Sequence, residues 1–343
     1  MSNAGGVVMS DERISTVRLQ ELSWRFTETA VLFGAVEVGF FTKVSSHGRS
    51  VGDLAAALGM SYENAERMAK ACVSIGLINR TGDGFENAPD VERYLVEGKP
   101  TYAGSWIGWF HNRWDQWGKL GEHLGQDRPE EVMGHYTPEF TEDFARRYHE
   151  ATNSVGMGAA RWFVKNYELD GRHKLLDLGG GSGAYSIVAA QRYPELTAIV
   201  LDLPEVVPIT LEFIEEHGVA DRVTAQACDF TSDPLPEGSD VILMNSNLPM
   251  YGSATISEVV QKAFDALEPG GEMHVCGEML NEDWNGPLIP VMCGLHGALD
   301  GSTAKAHTPS ECIGYFEDAG FLDVAVSDFV PEILKHISGT KPC

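Results

Sequence analysis

The stretch LLDLGGGSGAYS, residues 175–186, constrains the fold of this 343-residue chain more than any other segment. One acid, Asp177, lies inside an apolar run, and glycines follow at positions 179, 180, 181 and 183 before a helical pattern begins. A strand, a glycine turn and a helix in this order are typical of nucleotide-binding α/β domains, because glycine lets a ligand approach the backbone. The spacing Gly179-x-Gly181-x-x-Ala184 also satisfies a dinucleotide fingerprint, so the glycines alone do not identify the ligand.

From residue 174 onward, short β-rich apolar runs alternate with helical patterns. The runs are KLLDLG, TAIVLDL, RVTAQACDF, DVILMNS and EMHVCGE, and the helical segments between them include AYSIVAAQRY, VVPITLEFIEEHG and TISEVVQKAFDAL. Buried strands that alternate with helices indicate a parallel, doubly wound sheet. The predicted fold class is therefore α/β, with a Rossmann-like catalytic domain over residues 171–343.

The N-terminal region has a different pattern. Residues 14–46 are helical in pattern, and residues 50–96 contain two helical segments, VGDLAAALG and SYENAERMAKACVSIGLI, followed by INRTGDGFENA. The last segment predicts a β-hairpin with its turn at Asp83-Gly84. Together they predict an α-helical, winged-helix domain over residues 1–100. Residues 101–170 are helical and rich in aromatics, and we expect them to link the two domains and to line a small-molecule pocket.

A winged helix raises the possibility of DNA binding, but the charge argues against it. The chain has 25 basic and 50 acidic residues, a formal net charge of −25. Between residues 50 and 96, four basic side chains stand against seven acidic ones. A DNA-binding domain needs a basic face. We therefore expect no nucleic-acid partner and interpret the winged helix as a packing and dimerisation module.

Composition also predicts the cellular setting. No apolar run reaches 18 residues, so no membrane-spanning segment and no membrane partner are expected. The N-terminal residues MSNAGGVVMSDER lack the basic and apolar regions of a signal peptide. The six cysteines form no CxxC pair and no zinc spacing, which predicts reduced thiols and no metal site. The predicted localisation is cytoplasmic.

Acidic residues along the predicted strands indicate which ligand the glycine turn holds. Asp177 lies inside the first strand, where an acid suits an ammonium group and repels a pyrophosphate. Asp202 ends the next strand, where its carboxylate can accept both hydroxyls of a ribose. Asp229 and Phe230 end the third strand, where the acid can accept the adenine amino group and the ring can cover the base. A cationic amino acid, a ribose and an adenine together indicate S-adenosylmethionine (SAM), with S-adenosylhomocysteine as its product.

With its winged-helix start and the segments LLDLGGGSG, VLDLP, CDF, ALEPGG and TPSECIGYFEDAGF, the chain resembles the SAM-dependent O-methyltransferases of plant secondary metabolism and bacterial antibiotic tailoring. The resemblance runs from about residue 20 to the C-terminus. It implies a methyltransferase that is usually an intertwined homodimer and that acts on a small molecule. It also implies that the glycine turn contacts the methionine part of the donor. The candidate donor-binding residues are Asp177, Gly179, Gly181, Gly183, Asp202, Leu203, Asp229, Phe230 and Asn245.

The chain departs from this family where the fourth strand ends. The family has a motif like Leu-His-Asp-Trp there, and its His is the general base. Here NSNLPMYG places Pro249 at the His position and Tyr251 at the Trp position, and a register slip of one places Leu248 at the His position. Neither Pro249 nor Leu248 can accept a proton. A phenol, with a pKa near ~10, reacts poorly until its proton is removed, and a base contributes roughly 10²–10⁴-fold.

A thioether has no proton to lose, so the missing base favours a sulfur acceptor. The chain is similar to bacterial S-methyltransferases that act on 4-methylthio-2-hydroxybutyrate in dimethylsulfoniopropionate synthesis. The acceptor carboxylate would need a cation, with Arg113 the first choice and Arg146 or Arg147 next, and aromatic faces and carboxylates would tolerate the sulfonium charge. No general base is predicted, and the candidate acceptor-binding residues are Trp109, His111, Arg113, Tyr148, His149, Asn247, Tyr251, Glu278, Met292 and His296.

Three alternatives stay open at this point. The first is an O-methyltransferase of a phenolic or hydroxylated natural product whose base has moved to His149 or His296. The second is a non-catalytic SAM-binding regulator, which the missing base fits and the acidic helix-turn-helix opposes. The third is an NAD-dependent dehydrogenase, which is disfavoured because Asp177 lies where a pyrophosphate would bind.

Overall fold

The structure is a computed structural model that describes residues 14–47, 50–125 and 140–343. The N-terminal segment MSNAGGVVMSDER and residues 126–139 of the predicted link lie outside the described residues. The chain divides into two compact units, Met1–Gly108 and Trp109–Cys343. The boundary falls within the segment 101–170, so most of that segment belongs to the same unit as the sheet.

The first unit is mainly helical and contains one small hairpin. Its elements are α1 (Val17–Glu37), α2 (Phe40–His47), α3 (Val51–Leu58), α4 (Tyr62–Ser74), β1 (Ile78–Thr81), β2 (Gly84–Asn87), α5 (Pro89–Tyr94) and α6 (Gly104–Trp109). Helices α3 and α4 begin after Ser50 and Ser61, whose side-chain oxygens accept the N–H of Asp53 and Asn64. Such serine N-caps satisfy N–H groups that the helix itself leaves unpaired.

The hairpin turns one residue earlier than the sequence predicts. Thr81 pairs with Gly84 as the last step of the antiparallel ladder, so the two turn residues are Gly82 and Asp83. Gly82 has φ 59°, the left-handed value that glycine adopts without strain. A glycine lies on each side of Asp83, so the sequence allows either one to be the second turn residue. The pairing of Thr81 with Gly84 leaves Gly82 in the turn.

The second unit contains all the β-α alternation. Before the sheet lie a 3₁₀ helix (Phe110–Arg113), α7 (Trp114–Gly118), α8 (Leu120–Leu124) and α9 (Glu142–Asn166). The alternating part comprises β3 (Lys174–Leu178), α10 (Ala184–Arg192), β4 (Thr197–Asp202), α11 (Val207–Glu216), β5 (Val223–Ala227), β6 (Ser239–Asn245), a 3₁₀ helix (Leu248–Met250), α12 (Ser253–Ala266) and β7 (Leu267–Gly277). The remaining elements are α13 (Leu288–Asp300), α14 (Pro309–Ala319), β8 (Leu322–Val330) and β9 (Leu334–Thr340).

The sheet of the second unit has seven strands in the order β5-β4-β3-β6-β7-β9-β8. Strands β3 to β7 run parallel, as the alternating pattern predicts, and the fold is Rossmann-like α/β. Strands β8 and β9, which the sequence analysis did not predict, extend the sheet at one edge: β9 pairs antiparallel with β7, and β8 pairs antiparallel with β9. The strand order reverses between β3 and β6, and in such sheets ligands bind outside the carboxyl ends at this switch point.

Both faces of the central strands are covered, which explains why β3 is a continuous apolar run. Leu175 packs into one core cluster with α9 and α10, and Leu176 packs into another with α12 and α14. Both leucines are fully buried. Parallel strands need this covering on both sides. The burial of β3 fixes the position at which the glycine loop leaves the sheet.

Within the described ranges, every helix is too short or too polar to cross a lipid bilayer.

Candidate functional site

The loop after β3 is held in a conformation that requires glycine. Gly179, Gly181 and Gly183 have φ of 61°, 58° and 74°, values that other residues adopt only with strain. A Cβ at Gly179 would lie 2.7 Å from Asn247 Nδ2, and a Cβ at Gly180 would lie 2.7 Å from Asp177 Cγ. The loop therefore lacks side chains both because of its backbone angles and because its neighbours lie close to it.

Asp202, at the end of β4, is hydrogen-bonded to this loop. Its Oδ2 accepts the N–H of Gly181 at 2.8 Å, and its Oδ1 accepts the N–H of Leu203 at 2.8 Å. Burial raises the pKa of Asp202 to about 6, and the two N–H donors act in the opposite direction. Each carboxylate oxygen has a second acceptor position, so the predicted ribose hydroxyls have lone pairs available to them.

Asp177 is buried beneath the same loop. Its Oδ2 accepts the hydroxyl of Ser186 at 2.8 Å, while its Oδ1 is buried and has no hydrogen-bond partner in the described part of the chain. The pKa of Asp177 is raised to about 6, mainly by burial and to a smaller extent by the charge of Asp202, while the hydrogen bond from Ser186 acts in the opposite direction. A nearby ammonium group would favour the ionised carboxylate. The ammonium-binding role of Asp177 stays a prediction.

Phe230 and Asp229, at the end of the third strand, have different surroundings. Phe230 is buried, its ring lies 5.7 Å from the ring of Tyr251, and its edge approaches Gly179. The carboxylate of Asp229 accepts hydrogen bonds from Thr231 and Ser232, so it also stabilises its own turn. The adenine-binding role of this pair stays a prediction.

The end of β6 approaches the glycine loop through amides. Asn247 Nδ2 donates to the carbonyls of Leu178 at 3.1 Å and Gly179 at 3.3 Å. The structure therefore hydrogen-bonds Asn247 to the loop, although the sequence suggested an acceptor-side position. Both side-chain amide atoms of Asn245 are buried without a hydrogen-bond partner among the described residues. This arrangement leaves Asn245 as a polar group in need of a ligand or water.

Pro249, which the sequence analysis aligns with the family's base, is buried in a short 3₁₀ helix, and so is Leu248, the residue that a register slip of one would align there. Leu248 packs tightly on the end of β7, since a Cβ at Gly277 would lie 2.8 Å from Leu248 Cβ. Tyr251 is also buried, which raises the pKa of its hydroxyl. The segment after β6 is thus apolar where a proton acceptor was expected.

Aromatic rings lie together on the acceptor side of the second unit. The ring of Trp109 lies 5.3 Å from Phe144 and 5.2 Å from Tyr148, and Tyr148 lies 5.1 Å from His149, all edge to face. Such pairs hold each other in fixed orientation. Phe144 was not predicted as a site residue, although it lies four positions before Tyr148 on α9 and therefore on the same face.

The arginines considered for an acceptor carboxylate all have carboxylate partners within the protein. Arg113 pairs with Asp300 at 2.7 Å and 3.4 Å, and both side chains are mostly buried. Arg146 pairs with Glu212 at 2.6 Å, and Arg147 pairs with Asp143 at 3.3 Å while both are exposed. Of the three, Arg113 has the least exposed side chain, at 18%, while Arg146 and Arg147 lie on α9, the helix that also carries Phe144 and Tyr148.

Glu278 follows β7 directly and carries the most perturbed acid on the acceptor side. Its Oε2 is buried and has no hydrogen-bond partner in the described ranges, and burial raises its pKa to about 7. The pKa values of Tyr148 and Cys293 are both raised to about 12. Burial is the main cause in each case, and the negative charge of Glu278 is a second cause that acts in the same direction. Glu278 is therefore near enough to Tyr148 of α9 and Cys293 of α13 to influence both side chains.

The described histidines differ in what their rings contact. His149 is buried, and a Cβ at Gly181 would lie 2.7 Å from its Nδ1, so this ring lies on the glycine loop. His296 lies 5.4 Å from the ring of Trp117, and His111 lies 6.2 Å from Trp114. Met292, on the same helix as His296, is exposed.

A further histidine, His307, was not predicted as part of the site. It is buried, and its two ring nitrogens lie 2.9 Å from the carbonyl of Tyr251 and 3.1 Å from the hydroxyl of Tyr315. Sequence analysis also missed two other buried polar groups, Asn153 Oδ1 and Tyr185 OH, which have no hydrogen-bond partner in the described residues. Asn153 lies four residues after His149 on α9, so the two side chains lie on the same face of the helix. This spacing could have indicated from the sequence that Asn153 lies near His149.

The fold and the site together define a SAM-dependent methyltransferase that acts on a small molecule. The glycine loop lies at the switch point of the sheet, Asp202 offers carboxylate oxygens beside it, and Phe230 lies against it. The described residues contain no cluster of three or more metal-ligating side chains. The residues present therefore fit the adenosyl donor that the sequence predicts.

Comparisons with known proteins agree with this class. Residues 117–322 match the family model described as an O-methyltransferase domain, so the chain belongs to the O-methyltransferase family. It is 26% identical over 314 residues to a 3-hydroxy-5-methyl-1-naphthoate 3-O-methyltransferase of Streptomyces sahachiroi, covering 91% of both chains. It is 24% identical over 314 residues to the N,N-dimethyltransferase OxyT of Streptomyces rimosus, covering 88% of this chain and 90% of that one.

A solved structure of human N-acetylserotonin methyltransferase in complex with SAM has the same fold. It superimposes with a TM-score of 0.81 at 24% identity, covering 98% of this chain and 100% of that chain. The family assignment is incompatible with the alternative of an NAD-dependent dehydrogenase and does not favour a non-catalytic regulator. SAM is the methyl donor of this enzyme.

Proposed function

We propose that this methyltransferase methylates the sulfur of a small thioether hydroxy acid of the 4-methylthio-2-hydroxybutyrate type, without a general base. The observation that carries the proposal is the buried Pro249 at the position of the family's base. A thioether reacts through a sulfur lone pair that carries no proton. Its methylation therefore needs no proton acceptor, and an apolar ring at this position would not slow the reaction.

Two buried histidines, His149 and His307, support this proposal. Burial lowers the pKa of His149 to about 4, so its imidazole is a weak base for a phenol, whose pKa is near ~10. Both ring nitrogens of His307 lie within hydrogen-bond distance of protein oxygens. A general base needs a basicity matched to its task and a nitrogen available to the substrate. Neither histidine meets both needs.

The charge around the acceptor side also supports a sulfur acceptor. When the acceptor sulfur forms its bond to the methyl carbon, the old carbon–sulfur bond breaks and its electron pair stays on the departing thioether. The positive charge then resides on the acceptor, and no proton moves. The carboxylate of Glu278, close enough to Tyr148 and Cys293 to influence their pKa, would stabilise that charge.

Arg113 is the residue we propose for the acceptor carboxylate. Its pairing with Asp300, in which both side chains are mostly buried, would fix the orientation of the guanidinium. A planar guanidinium matches the geometry of a carboxylate, which favours Arg113 over a lysine-type cation for this role. Arg146 and Arg147, which pair with other acids on α9 and α11, are weaker candidates.

A second candidate function is O-methylation of a hydroxylated natural product. Relatives of this chain are named for methyl transfer to oxygen and to nitrogen, so the acceptor atom varies within similar proteins. Glu278 favours this alternative in one respect: a carboxyl whose pKa is raised to about 7 is a better proton acceptor than an ordinary one. In that case Glu278 would take the hydroxyl proton.

Product analysis separates the two functions. The enzyme is incubated with SAM and, in parallel, 4-methylthio-2-hydroxybutyrate, a panel of phenols and a panel of hydroxy acids. Product masses and S-adenosylhomocysteine release are measured. The proposal expects a sulfonium product from the thioether acid and a turnover at least tenfold above that of every phenol. Methylation of phenols alone, with no sulfonium formed, would refute it.

We also propose that the enzyme is a homodimer in the cytoplasm, formed through its N-terminal unit. Helix α1 supports the dimer because Leu19, Leu22 and Trp24 are each more than half exposed. Large exposed apolar patches mark interaction sites, and a second copy of α1 would cover this one. Light scattering after gel filtration should show a dimer, and Trp24→Glu should shift it toward monomer; a monomeric wild type would contradict the proposal.

A further inference from the structure

The ring of His149 lies at the start of the donor-binding loop rather than in the acceptor pocket where the sequence suggested it. It projects from α9, is 8% exposed, and fills the space that a side chain at Gly181 would need. Its neighbour Tyr148 holds it edge to face at 5.1 Å. The ring is therefore fixed against the loop.

The imidazole of His149 has no hydrogen-bond partner among the described residues. Neither ring nitrogen has a hydrogen bond within the described parts of the chain, and burial is the sole cause of its lowered pKa, about 4. At neutral pH the ring is thus uncharged and has one N–H donor and one lone pair. Side-chain donors in a site as enclosed as this one are as a rule hydrogen-bonded, so we expect this N–H to donate to a group of the bound ligand.

The surroundings of the ring favour an anion as that partner. Helix α10, nine residues long, begins directly after Gly183, and a helix N-terminus attracts negative charge. The loop's other neighbours are acids, of which Asp177 suits the ammonium group and Asp202 suits the ribose hydroxyls. Of the groups that SAM carries, the α-carboxylate of its methionine part is the one anion.

We infer that the N–H of His149 donates to the α-carboxylate of SAM. His149 is then a donor-binding residue and not the acceptor-side residue or relocated base that the sequence suggested. The inference concerns the methyl donor alone, so it holds or fails independently of whether the acceptor atom is sulfur or oxygen.

Two ligands test this inference by calorimetry without any acceptor present. S-Adenosylhomocysteine carries the α-carboxylate, and 5′-methylthioadenosine lacks the whole amino-acid part. His149→Phe keeps a ring beside Tyr148 but removes the N–H. It should weaken S-adenosylhomocysteine binding roughly 10- to 100-fold, the range for a hydrogen bond to a charged group, and change 5′-methylthioadenosine binding less than about threefold.

His217→Phe is the matched control, because it replaces a partly buried imidazole of the same unit that hydrogen-bonds the carbonyl of Phe213 and is not among the candidate site residues. It should leave both affinities unchanged. Equal weakening of both ligands by His149→Phe would show a merely structural role and overturn the inference. Unchanged S-adenosylhomocysteine binding with a raised acceptor KM would return His149 to the acceptor side and overturn it too.

A measurement on the wild-type enzyme covers the case in which His149→Phe does not fold. A bound carboxylate favours the protonated imidazole, so S-adenosylhomocysteine should raise the pKa of His149 by about one unit or more, while 5′-methylthioadenosine should not. Titration of the imidazole signals by NMR reports both values. Identical shifts with the two ligands would overturn the inference.

Discussion

Gly181 and His149 are in direct contact: a Cβ on Gly181 would stand 2.7 Å from the Nδ1 of His149, and the glycine has φ 58°. The backbone of Gly181 is fixed from the other side as well, since its N–H donates to Asp202 and its carbonyl accepts the hydroxyl of Thr210. The loop is therefore held between β4, α9 and α11, and it has no room to move away from a new side chain.

Gly181→Ala should weaken SAM binding at least about tenfold, because alanine at this φ is strained by ~1–3 kcal/mol and its methyl group would displace His149. Gly218→Ala is the matched control: Gly218 has φ 66°, but a Cβ there meets nothing within 4 Å. The control should lose thermal stability to a similar degree and keep its SAM affinity. Calorimetry with S-adenosylhomocysteine and thermal unfolding measure both; equal affinities in the two variants would contradict the prediction.

Arg113→Gln should raise the KM for 4-methylthio-2-hydroxybutyrate roughly tenfold or more, as expected for the loss of a hydrogen-bonded charge pair with a carboxylate. The affinity for SAM should stay unchanged. Arg147→Gln serves as the control, because Arg147 forms an exposed pair with Asp143 and such pairs contribute little. Steady-state kinetics decide the matter: a KM equal to that of the control removes Arg113 from carboxylate binding.

Glu278→Gln should lower kcat with the thioether acid about tenfold or more at pH 8 and remove the pH dependence of the wild type near neutrality. The pKa of Glu278 is raised to about 7, so the carboxylate that stabilises the cation is present above that pH and wild-type kcat should fall as pH falls through 7. If Glu278 instead removes a proton, the reaction will show a solvent isotope effect clearly above one. A pH profile unaltered by Glu278→Gln would argue against both roles.

The same raised pKa predicts a stability effect. The ordinary pKa of a glutamate is 4.5, and that of Glu278 in the folded protein is about 7. Between these two pH values the folded protein keeps a proton on Glu278 that the unfolded chain has released. The contribution of this group to stability therefore falls as pH rises through this window. Glu278→Gln should unfold at a higher temperature than wild type at pH 8, with the difference shrinking toward pH 4.5; a variant less stable than wild type at pH 8 contradicts this.

Pro249→His should introduce methylation of phenols, at least about tenfold above wild type, because it returns an imidazole to the position of the family's base. Turnover of the thioether acid should not increase. Pro249→Ala removes the ring without supplying a base and should leave phenol methylation at the wild-type level. The two variants are compared by S-adenosylhomocysteine release with a phenol at pH 8, and equal rates would show that position 249 does not face the acceptor.

The amino-acid sequence by itself determined the parts of this enzyme that depend on neighbouring residues. The alternation of apolar runs and helical patterns was sufficient to predict the parallel strands β3 to β7. Each of these strands and helices has a periodic spacing of apolar residues that can be recognised in its own segment of sequence. The loop from Gly179 to Gly183 was recognisable because its backbone angles require glycine. The two final strands were missed, since an antiparallel edge depends on pairing with β7 and not on a connecting helix.

The tertiary structure alone decided which side chains meet. Asp300 pairs with Arg113 across 187 positions of sequence, and Glu278 lies near Tyr148 of α9 and Cys293 of α13. His149 was predicted for the acceptor pocket, but the packing of α9 places its ring on Gly181. The acid strength of Glu278 and the low basicity of His149 follow from burial. Burial is a property of the folded chain, because it depends on which distant segments exclude water from a group, and no local pattern encodes it.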